Sequence, residues 1–156
     1  TIAFEQFLHR RSSSLFTQYF DQFVSERGAK LFYLPAYTEL KRAQHLGHYT
    51  AILTSAPSFL AAPIARILGV HALFASEYTL DEEGNFSKIG KIVEGTEKAK
   101  ITEQIQQELS LGQESVSAYS DSFHDIDFLE CSGQSIAVNP DKRLKNYSLK
   151  QKWKII

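Results

Sequence analysis

Apolar residues recur at helical spacing through the first part of the chain. Between Phe4 and Val24 they come every three or four residues, with one break from Arg10 to Ser14. The pattern predicts one interrupted helix or two short amphipathic helices, closed by Gly28. We interpret the apolar face as core packing, with a partner-binding face as the alternative.

Predicted strands and helices alternate along the rest of the chain. A helix over residues 36–46 is followed by an apolar, β-rich run over 49–53, a polar turn and a helix over 58–69. The later elements are a helix over 96–109, a strand over 115–119, a helix through Leu129, a strand over 135–138 and a last helix opened by Asn139-Pro140-Asp141. Repeated strand–helix units predict an α/β fold with a mostly parallel sheet.

One stretch departs from this alternation. Two β-like runs, residues 73–80 and 86–93, flank the polar sequence Asp81-Glu82-Glu83-Gly84-Asn85. A glycine-containing loop between two such runs predicts a β-hairpin insertion over residues 72–93.

Composition narrows the class of protein. The 156 residues carry a formal net charge of −1 and are 43% hydrophobic, as expected for one soluble globular domain. The balanced charge argues against nucleic-acid binding, and the basic run from Lys142 to Lys154 is interpreted as a solvated terminal helix. No apolar run has the roughly 20 residues of a membrane span, and no signal peptide is recognisable, so we expect a cytoplasmic protein.

Sulfur-containing residues give two further expectations. Cys131 is the only cysteine, so it is expected to be a small buried thiol in a reducing compartment. The sequence has no Met and starts with Thr1. We therefore expect a processed, truncated or partly recorded chain.

Polar side chains follow three of the predicted strands. Thr54 and Ser55 come after the first, Asp121 and Asp125 after a later one, and Asn139 after the last. Because loops and helix N-termini converge at the carboxyl ends of parallel strands, ligands bind there. The Thr54 hydroxyl and the peptide N–H groups after it could hold phosphoryl oxygens, although Ser and Thr also end strands for purely structural reasons.

The two aspartates have two interpretations. Their spacing brings both carboxylates to one face of a strand-to-helix turn, where they would suit Mg²⁺ beside a phosphate. Equally, Asp121 or Ser122 could cap the helix while Asp125 complements its dipole. Lys98 stands at a helix start, where most lysines are surface residues, and His124 is the one histidine placed near the acidic pair.

The order of these segments resembles the haloacid dehalogenase superfamily, and within it the phosphoserine-phosphatase-like branch. The resemblance rests on residues 52–60, on Gly95-Thr96-Glu97-Lys98-Ala99, on Tyr119-Ser120-Asp121-Ser122-Phe123-His124-Asp125 and on Ala137-Val138-Asn139-Pro140-Asp141. It implies a Rossmann-like core, a small phosphorylated substrate and hydrolysis through an aspartyl-phosphate.

The resemblance also implies roles for single residues. Thr54 would bind the transferring phosphoryl group, with Ser55 and Asn139 as substrate-binding residues. Lys98 would steady the charge of the phosphoryl group and the nucleophile, with Lys100 as the alternative in register. Asp121 and Asp125 would hold Mg²⁺. Ser120 replaces the Gly common before the first of these acids.

The first motif of the family, Asp-x-Asp-Gly-Thr, is absent from the sequence. The closest segment, Ile2 to Leu8, has one Glu and helical periodicity, so residues 1–34 are expected to be the remaining part of a helical cap and residues 35–156 the core. The chain alone is expected to be inactive. A non-catalytic binding or oligomerisation module is the alternative function.

The missing motif also predicts a gap in the sheet. In this fold the first-motif strand lies between the strand ending at Thr54 and the strand ending at Tyr119. Without it, buried backbone groups would lack partners. We expect the chain's own missing N-terminal segment or a homo-oligomer partner to complete the sheet.

Overall fold

The computed structural model describes residues 2–156, apart from the side chains of residues 2, 3 and 29. Thr1, the first residue of the predicted cap segment, lies outside the described residues. The chain divides into two compact units, Thr1–Val93 and Glu94–Ile156, which we call the N-terminal and C-terminal units. The predicted division between cap and core at residue 34 stays a prediction.

The N-terminal unit contains four helices and four strands in its described residues. In chain order they are α1 (Ile2–Phe7), α2 (Ser13–Arg27), a 3₁₀ turn (Gly28–Leu31), α3 (Leu34–His45), β1 (Ala51–Pro57), α4 (Ser58–Leu68), β2 (Ala72–Ser76), β3 (Tyr78–Leu80) and β4 (Phe86–Ile89). Strands β1 and β2 are parallel, and Thr54 pairs with Ala75. Helix α4 makes the crossover between them and ends where Gly69 adopts a left-handed φ of 68°.

The predicted hairpin is shorter than expected. Its paired strands are β3 and β4, which run antiparallel with Tyr78 opposite Ile89, while the preceding β2 joins β1. The run over residues 73–80 contains no Gly, Pro, Asn or Asp, so the sequence does not reveal that the chain changes sheets after Ser76.

The first two helices form where they were predicted, but their apolar face is only partly buried. Phe4 and Val24 are 3% and 1% exposed, as core packing requires. Phe7 and Tyr19 are 62% and 70% exposed, so the core-packing interpretation is wrong for them. Aromatic packing in this unit centres on Phe86, whose ring is contacted by the rings of Phe16, Phe59 and Tyr78.

The C-terminal unit has a three-stranded parallel sheet in the order β5-β6-β7. Its elements are α5 (Gly95–Glu108), a 3₁₀ turn (Gln113–Ser115), β5 (Ser117–Ser120), a 3₁₀ turn (Phe123–Asp125), α6 (Ile126–Glu130), β6 (Gln134–Ala137), α7 (Lys142–Gln151) and β7 (Lys154–Ile155). A cluster of buried residues, Ala118, Leu129, Ala137 and Leu144, lies in the core of the unit.

The interpretation of the basic run from Lys142 to Lys154 as one helix is wrong, because the chain forms strand β7 after α7. Lys152 adopts a left-handed φ of 59° and ends α7, after which Ile155 pairs with Ala137 of β6. Trp153 and Ile155 pack against the core. Burial of these two apolar side chains stabilises the strand more than the helix propensity of the surrounding lysines would stabilise a longer helix.

Both units combine helices with parallel strands, which confirms the predicted α/β, Rossmann-like fold class. Across residues 2–156, none of the helices has the length and apolar character needed to cross a membrane.

Candidate active site

Three of the six predicted site residues, Lys98, Asp121 and Asp125, lie in the turn after β5 or contact it. Along this strand Ser117 and Tyr119 are exposed while Ala118 and Ser120 are buried, as expected for side chains that alternate between two faces. Ser120 therefore points into the unit, and Asp121 follows it as the first residue beyond the strand.

Lys98 and Asp125 form a buried ion pair. The Lys98 Nζ lies 2.8 Å from Oδ1 and 2.7 Å from Oδ2 of Asp125. The two residues are 9% and 8% exposed. Lys100, two positions further along α5, is exposed. The structure therefore brings Lys98, and not Lys100, into contact with Asp125.

A close backbone approach holds α5 beside the turn that carries Asp125. Gly95, the first residue of α5, has a φ of +31°, and a Cβ at this position would lie 3.0 Å from the carbonyl oxygen of His124. A larger residue would force the helix start and the turn apart. His124 itself is exposed, and its backbone N–H donates to Ser122 Oγ.

Ser120 is a second donor group to the Asp125 carboxylate and makes its third hydrogen bond. Its Oγ lies 2.6 Å from Asp125 Oδ2 and also accepts the backbone N–H of Ser122 at 3.2 Å. The carboxylate thus accepts from one ammonium and one hydroxyl. This arrangement of hydrogen bonds holds the Asp125 carboxylate in place.

Asp141 ties the turn after β5 to the start of α7. Its backbone N–H donates to the Asp121 carbonyl at 2.8 Å, and its Oδ2 accepts the Phe123 N–H at 2.7 Å. Its Oδ1 accepts the Leu144 N–H at 2.9 Å and so caps α7. The hydrogen bond from the Leu144 N–H has the largest effect on the Asp141 carboxyl, followed by the bond from the Phe123 N–H. Both favour the ionised form and hold the pKa of this carboxyl below its usual value.

Asp121 is the carboxylate in this group that is open to a ligand. It is exposed, and in the part of the chain that the structure describes its side chain has no hydrogen-bond or ion-pair partner. The same residues contain no cluster of three or more metal-ligating side chains. One available carboxylate suits Mg²⁺, which commonly takes one or two protein carboxylates and fills its remaining positions with water and substrate oxygens.

Asp125 has less capacity left for a metal. Each carboxylate oxygen has two lone pairs, and Oδ2 uses both of its own on Lys98 and Ser120. Oδ1 accepts only from Lys98 within the described chain, so it retains one. A metal bond from Asp125 would have to use that oxygen, and its predicted metal role stays a prediction.

The remaining predicted residues lie on or after other strands, and Thr54 and Ser55 lie inside β1 and not after it as predicted. Thr54 and Ser55 belong to β1 of the N-terminal unit, where Thr54 Oγ1 accepts the Ala56 N–H at 3.1 Å and keeps its own proton to donate. Asn139 is exposed, has a φ of 40° and follows β6 in the C-terminal unit. That Thr54, Ser55 and Asn139 act with Lys98 stays a prediction.

Sequence reasoning gave no role to the Ser120 hydroxyl or to the Asp141 carboxylate. In the sequence, Ser120 stands out only as a replacement for Gly, and Asp141 as part of a motif and of the segment that opens the last helix. The available signal was positional: Ser120 is a polar residue in phase with the buried Ala118. Asp141 directly precedes a helix, where an N-cap is expected.

A parallel α/β fold with charged residues at the strand ends defines a broad class of enzyme and binding domains, and sequence comparison identifies the family within it. Residues 2–130 match the family of haloacid dehalogenase-like hydrolases. The chain therefore belongs to the haloacid dehalogenase superfamily. Phosphatases of this family generally use Mg²⁺.

Two named relatives support the assignment of this chain to the phosphoserine-phosphatase-like branch. The chain is 34% identical over 110 residues to phosphoserine phosphatase SerB1 of Mycobacterium tuberculosis, a match that covers 70% of this chain and 36% of that protein. It is 28% identical over 110 residues to a phosphoserine phosphatase of Archaeoglobus fulgidus, covering 69% and 32% of the two chains. The chain thus spans about a third of the length of these relatives, and its predicted resemblance to this branch is confirmed.

Solved structures confirm the fold. A protein of unknown function from Bordetella pertussis superposes with a TM-score of 0.80 at 24% identity, covering 94% of this chain and 67% of that one. A substrate-bound phosphoserine phosphatase superposes with a TM-score of 0.63 at 22% identity, covering 71% and 53%.

Proposed function

We propose that this chain supplies the second to fourth motifs of a haloacid dehalogenase phosphatase, which hydrolyses a small phosphate monoester in a Mg²⁺-dependent reaction. The observation that carries the proposal is the buried ion pair between Lys98 of α5 and Asp125 of the turn after β5. The same turn begins with Asp121, whose carboxylate is exposed and available. A fixed cation and a metal-binding carboxylate together suit the charge of a transferring phosphoryl group.

Each predicted residue has a distinct part in this proposal. The Thr54 hydroxyl binds an oxygen of the phosphoryl group, and Ser55 and Asn139 contact the substrate. The Lys98 ammonium has three N–H donors, and its contacts with Asp125 occupy at most two of them. The third is available to the phosphoryl group and to the attacking carboxylate.

The two aspartates are assigned different tasks. Asp121 ligates Mg²⁺, with Asp125 able to assist only through Oδ1. The main task of Asp125 is to hold Lys98, because a lysine ammonium on a flexible stem otherwise has many orientations. When bound, Mg²⁺ neutralises charge on the phosphate and orients it for attack.

The chemistry is a double displacement. An aspartate oxygen forms a bond to phosphorus while the bond from phosphorus to the ester oxygen breaks, and that oxygen takes a proton from a neighbouring acid. Water then hydrolyses the aspartyl-phosphate, releasing phosphate and restoring the carboxylate. We propose that this aspartate and this acid come from polypeptide outside the 156 residues, because Asp-x-Asp-Gly-Thr does not occur among them.

The open edges of two strands support this part of the proposal. Among the described residues, β1 pairs only with β2, and β5 pairs only with β6. Each therefore presents a row of unpaired backbone groups on its other side, which a further strand could satisfy. A preceding segment of the same polypeptide or a second copy of the chain are the two proposed sources.

A second candidate function is a non-catalytic module that uses this fold for binding or oligomerisation. The absence of the first motif from the 156 residues is the observation that favours it. This candidate predicts a folded protein that associates but releases no phosphate.

One experiment separates the two candidates. The full-length gene product is incubated with a panel of small phosphate monoesters, led by phosphoserine because of the named relatives. The enzyme proposal predicts phosphate release that stops when a chelator removes Mg²⁺ and resumes when Mg²⁺ is restored. Folded protein that releases phosphate from no ester in the panel contradicts it. Cell fractionation of the same product tests the proposed cytoplasmic location.

A further inference from the structure

Ser120 makes contacts that its position in a strand does not require. It is 8% exposed, and its hydroxyl joins the Asp125 carboxylate to the turn after β5. We propose that Ser120 is a positioning residue, which orients Asp125 and through it the ammonium of Lys98. This inference rests on the proposed function, because it assigns Lys98 a catalytic task.

The direction of the Ser120 hydrogen bonds follows from their partners. A backbone N–H can only donate, so Oγ accepts from Ser122. The hydroxyl proton is then left for Asp125 Oδ2, which is an acceptor. The distance of 2.6 Å is short for a hydroxyl hydrogen bond and lies in the range seen for hydroxyl-to-carboxylate bonds. The hydroxyl therefore has one orientation, set from both sides.

This bond fixes the rotation of the Asp125 carboxylate. With Lys98 as its only partner, the carboxylate could turn about its last side-chain bond and the flexible lysine could follow it. Ser120 holds Oδ2 against β5, the strand that anchors this edge of the site. The two Lys98 contacts, at 2.8 and 2.7 Å, then define one position for Nζ.

The position of Nζ matters because phosphoryl transfer depends on charges that are already in place. A displacement of about 1 Å in a catalytic group costs up to about 100-fold in rate. Removing the hydroxyl should therefore lower kcat while leaving substrate affinity nearly unchanged. It should also release Lys98 from its buried contacts.

The test compares Ser120→Ala, Ser120→Thr and the matched control Ser117→Ala in the full-length protein. Ser117 lies on the same strand with its side chain on the opposite, exposed face. The first readout is kcat and KM for the hydrolysed ester. The second is the rate of Lys98 acetylation by acetic anhydride, measured by mass spectrometry with exposed Lys100 as the internal standard.

We expect Ser120→Ala to lower kcat by about tenfold with KM changed less than about twofold, and to raise Lys98 acetylation relative to Lys100 by about tenfold. Ser120→Thr, which keeps the hydroxyl, should stay close to wild type in the acetylation readout. Ser117→Ala should change neither readout. Unchanged Lys98 acetylation in Ser120→Ala overturns the inference, as does an equal effect of Ser117→Ala.

The two readouts separate this inference from the function on which it rests. If the wild-type protein releases no phosphate, the proposed function fails, and kcat gives no information. The acetylation rates still decide whether Ser120 positions Lys98.

Discussion

The ammonium of Lys98 lies within hydrogen-bond distance of both carboxylate oxygens of Asp125, which is 27 residues further along the chain. Both side chains are almost completely buried. The pair fastens α5 to the turn after β5, so it is a structural joint as well as the centre of the candidate site. A buried charge that loses its partner is strongly destabilising, so the pair can be tested through stability alone.

Removing one member of the pair should destabilise the protein severely. Asp125→Ala leaves the Lys98 ammonium buried without a counter-charge, and the free energy of unfolding should fall by about 3–5 kcal/mol. The double variant Lys98→Met/Asp125→Leu, which leaves no buried charge, should be more stable than Asp125→Ala. Urea denaturation of each variant measures these differences.

Lys100→Met is the matched control, because Lys100 is exposed on the same helix. It should change stability by less than about 0.5 kcal/mol. A double variant no more stable than Asp125→Ala would show that the unpaired Lys98 charge is not what destabilises that variant, contrary to the structure.

Gly95 should tolerate no larger residue. Gly95→Ala places a Cβ 3.0 Å from the His124 carbonyl oxygen at a residue with a positive φ, so stability should fall by about 1–3 kcal/mol. Gly84→Ala is the control, since Gly84 also has a positive φ but open space around it. Thermal unfolding should show a larger loss for Gly95→Ala. Equal losses of stability in the two variants would mean that the positive φ alone, and not the contact with the His124 carbonyl oxygen, causes the destabilisation.

The contribution of Asp141 to stability should depend on pH. Its folded-state pKa lies below the unfolded value of about 3.9, because the Leu144 and Phe123 N–H groups favour the ionised form. The stabilisation is therefore complete above about pH 5 and is lost as the pH falls through the folded pKa. The stability difference between wild type and Asp141→Asn should be constant from pH 5 to about 8 and shrink below about pH 4.

Denaturation across this pH range, with Asp127→Asn as an exposed-acid control, measures the difference. A wild-type advantage over Asp141→Asn that persists undiminished at about pH 2 would contradict the assignment.

Replacing Ser148 by alanine should stabilise the protein. The Ser148 side chain is 0% exposed, and its Oγ has no hydrogen-bond partner within the described chain. Replacing a buried, unsatisfied hydroxyl by a methyl group removes a desolvation penalty, so Ser148→Ala should raise the free energy of unfolding by about 1 kcal/mol. Asn146→Ala, at an exposed position on the same helix, is the control. It measures the gain in stability that comes from helix propensity alone. Destabilisation by Ser148→Ala would imply an unseen partner for the hydroxyl.

Elements with their own local signals could be predicted from the sequence. Helix α4 ends next to Gly69 as expected, and α7 follows the predicted Asn-Pro-Asp segment with Asp141 as its cap. The pairing of β2 with β1 could not be predicted, because an apolar run does not specify its partner strand. Strand β7 was missed because its two residues follow a helix rich in lysine.

Some residues of the candidate site could be predicted from the sequence pattern, and others could not. The strand-end position of Asp121 follows from the alternation of strands and helices, and the structure leaves its carboxylate available. Lys98 carries no such signal, since a lysine near a helix start is usually exposed. Its burial depends on Asp125, and the orientation of Asp125 depends on Ser120, contacts that only the folded chain brings together.

The most direct test of the proposed activity is the Mg²⁺-dependent release of phosphate by the full-length protein, compared between wild type, Asp121→Asn and Asp127→Asn. Asp121→Asn keeps the shape of the side chain but removes the charge that would hold the metal. Asp127 is an exposed acid a few residues away that has no assigned role. We predict that Asp121→Asn loses at least about 100-fold in kcat/KM while Asp127→Asn keeps wild-type activity. Phosphate release that is indifferent to Asp121→Asn would contradict the proposal.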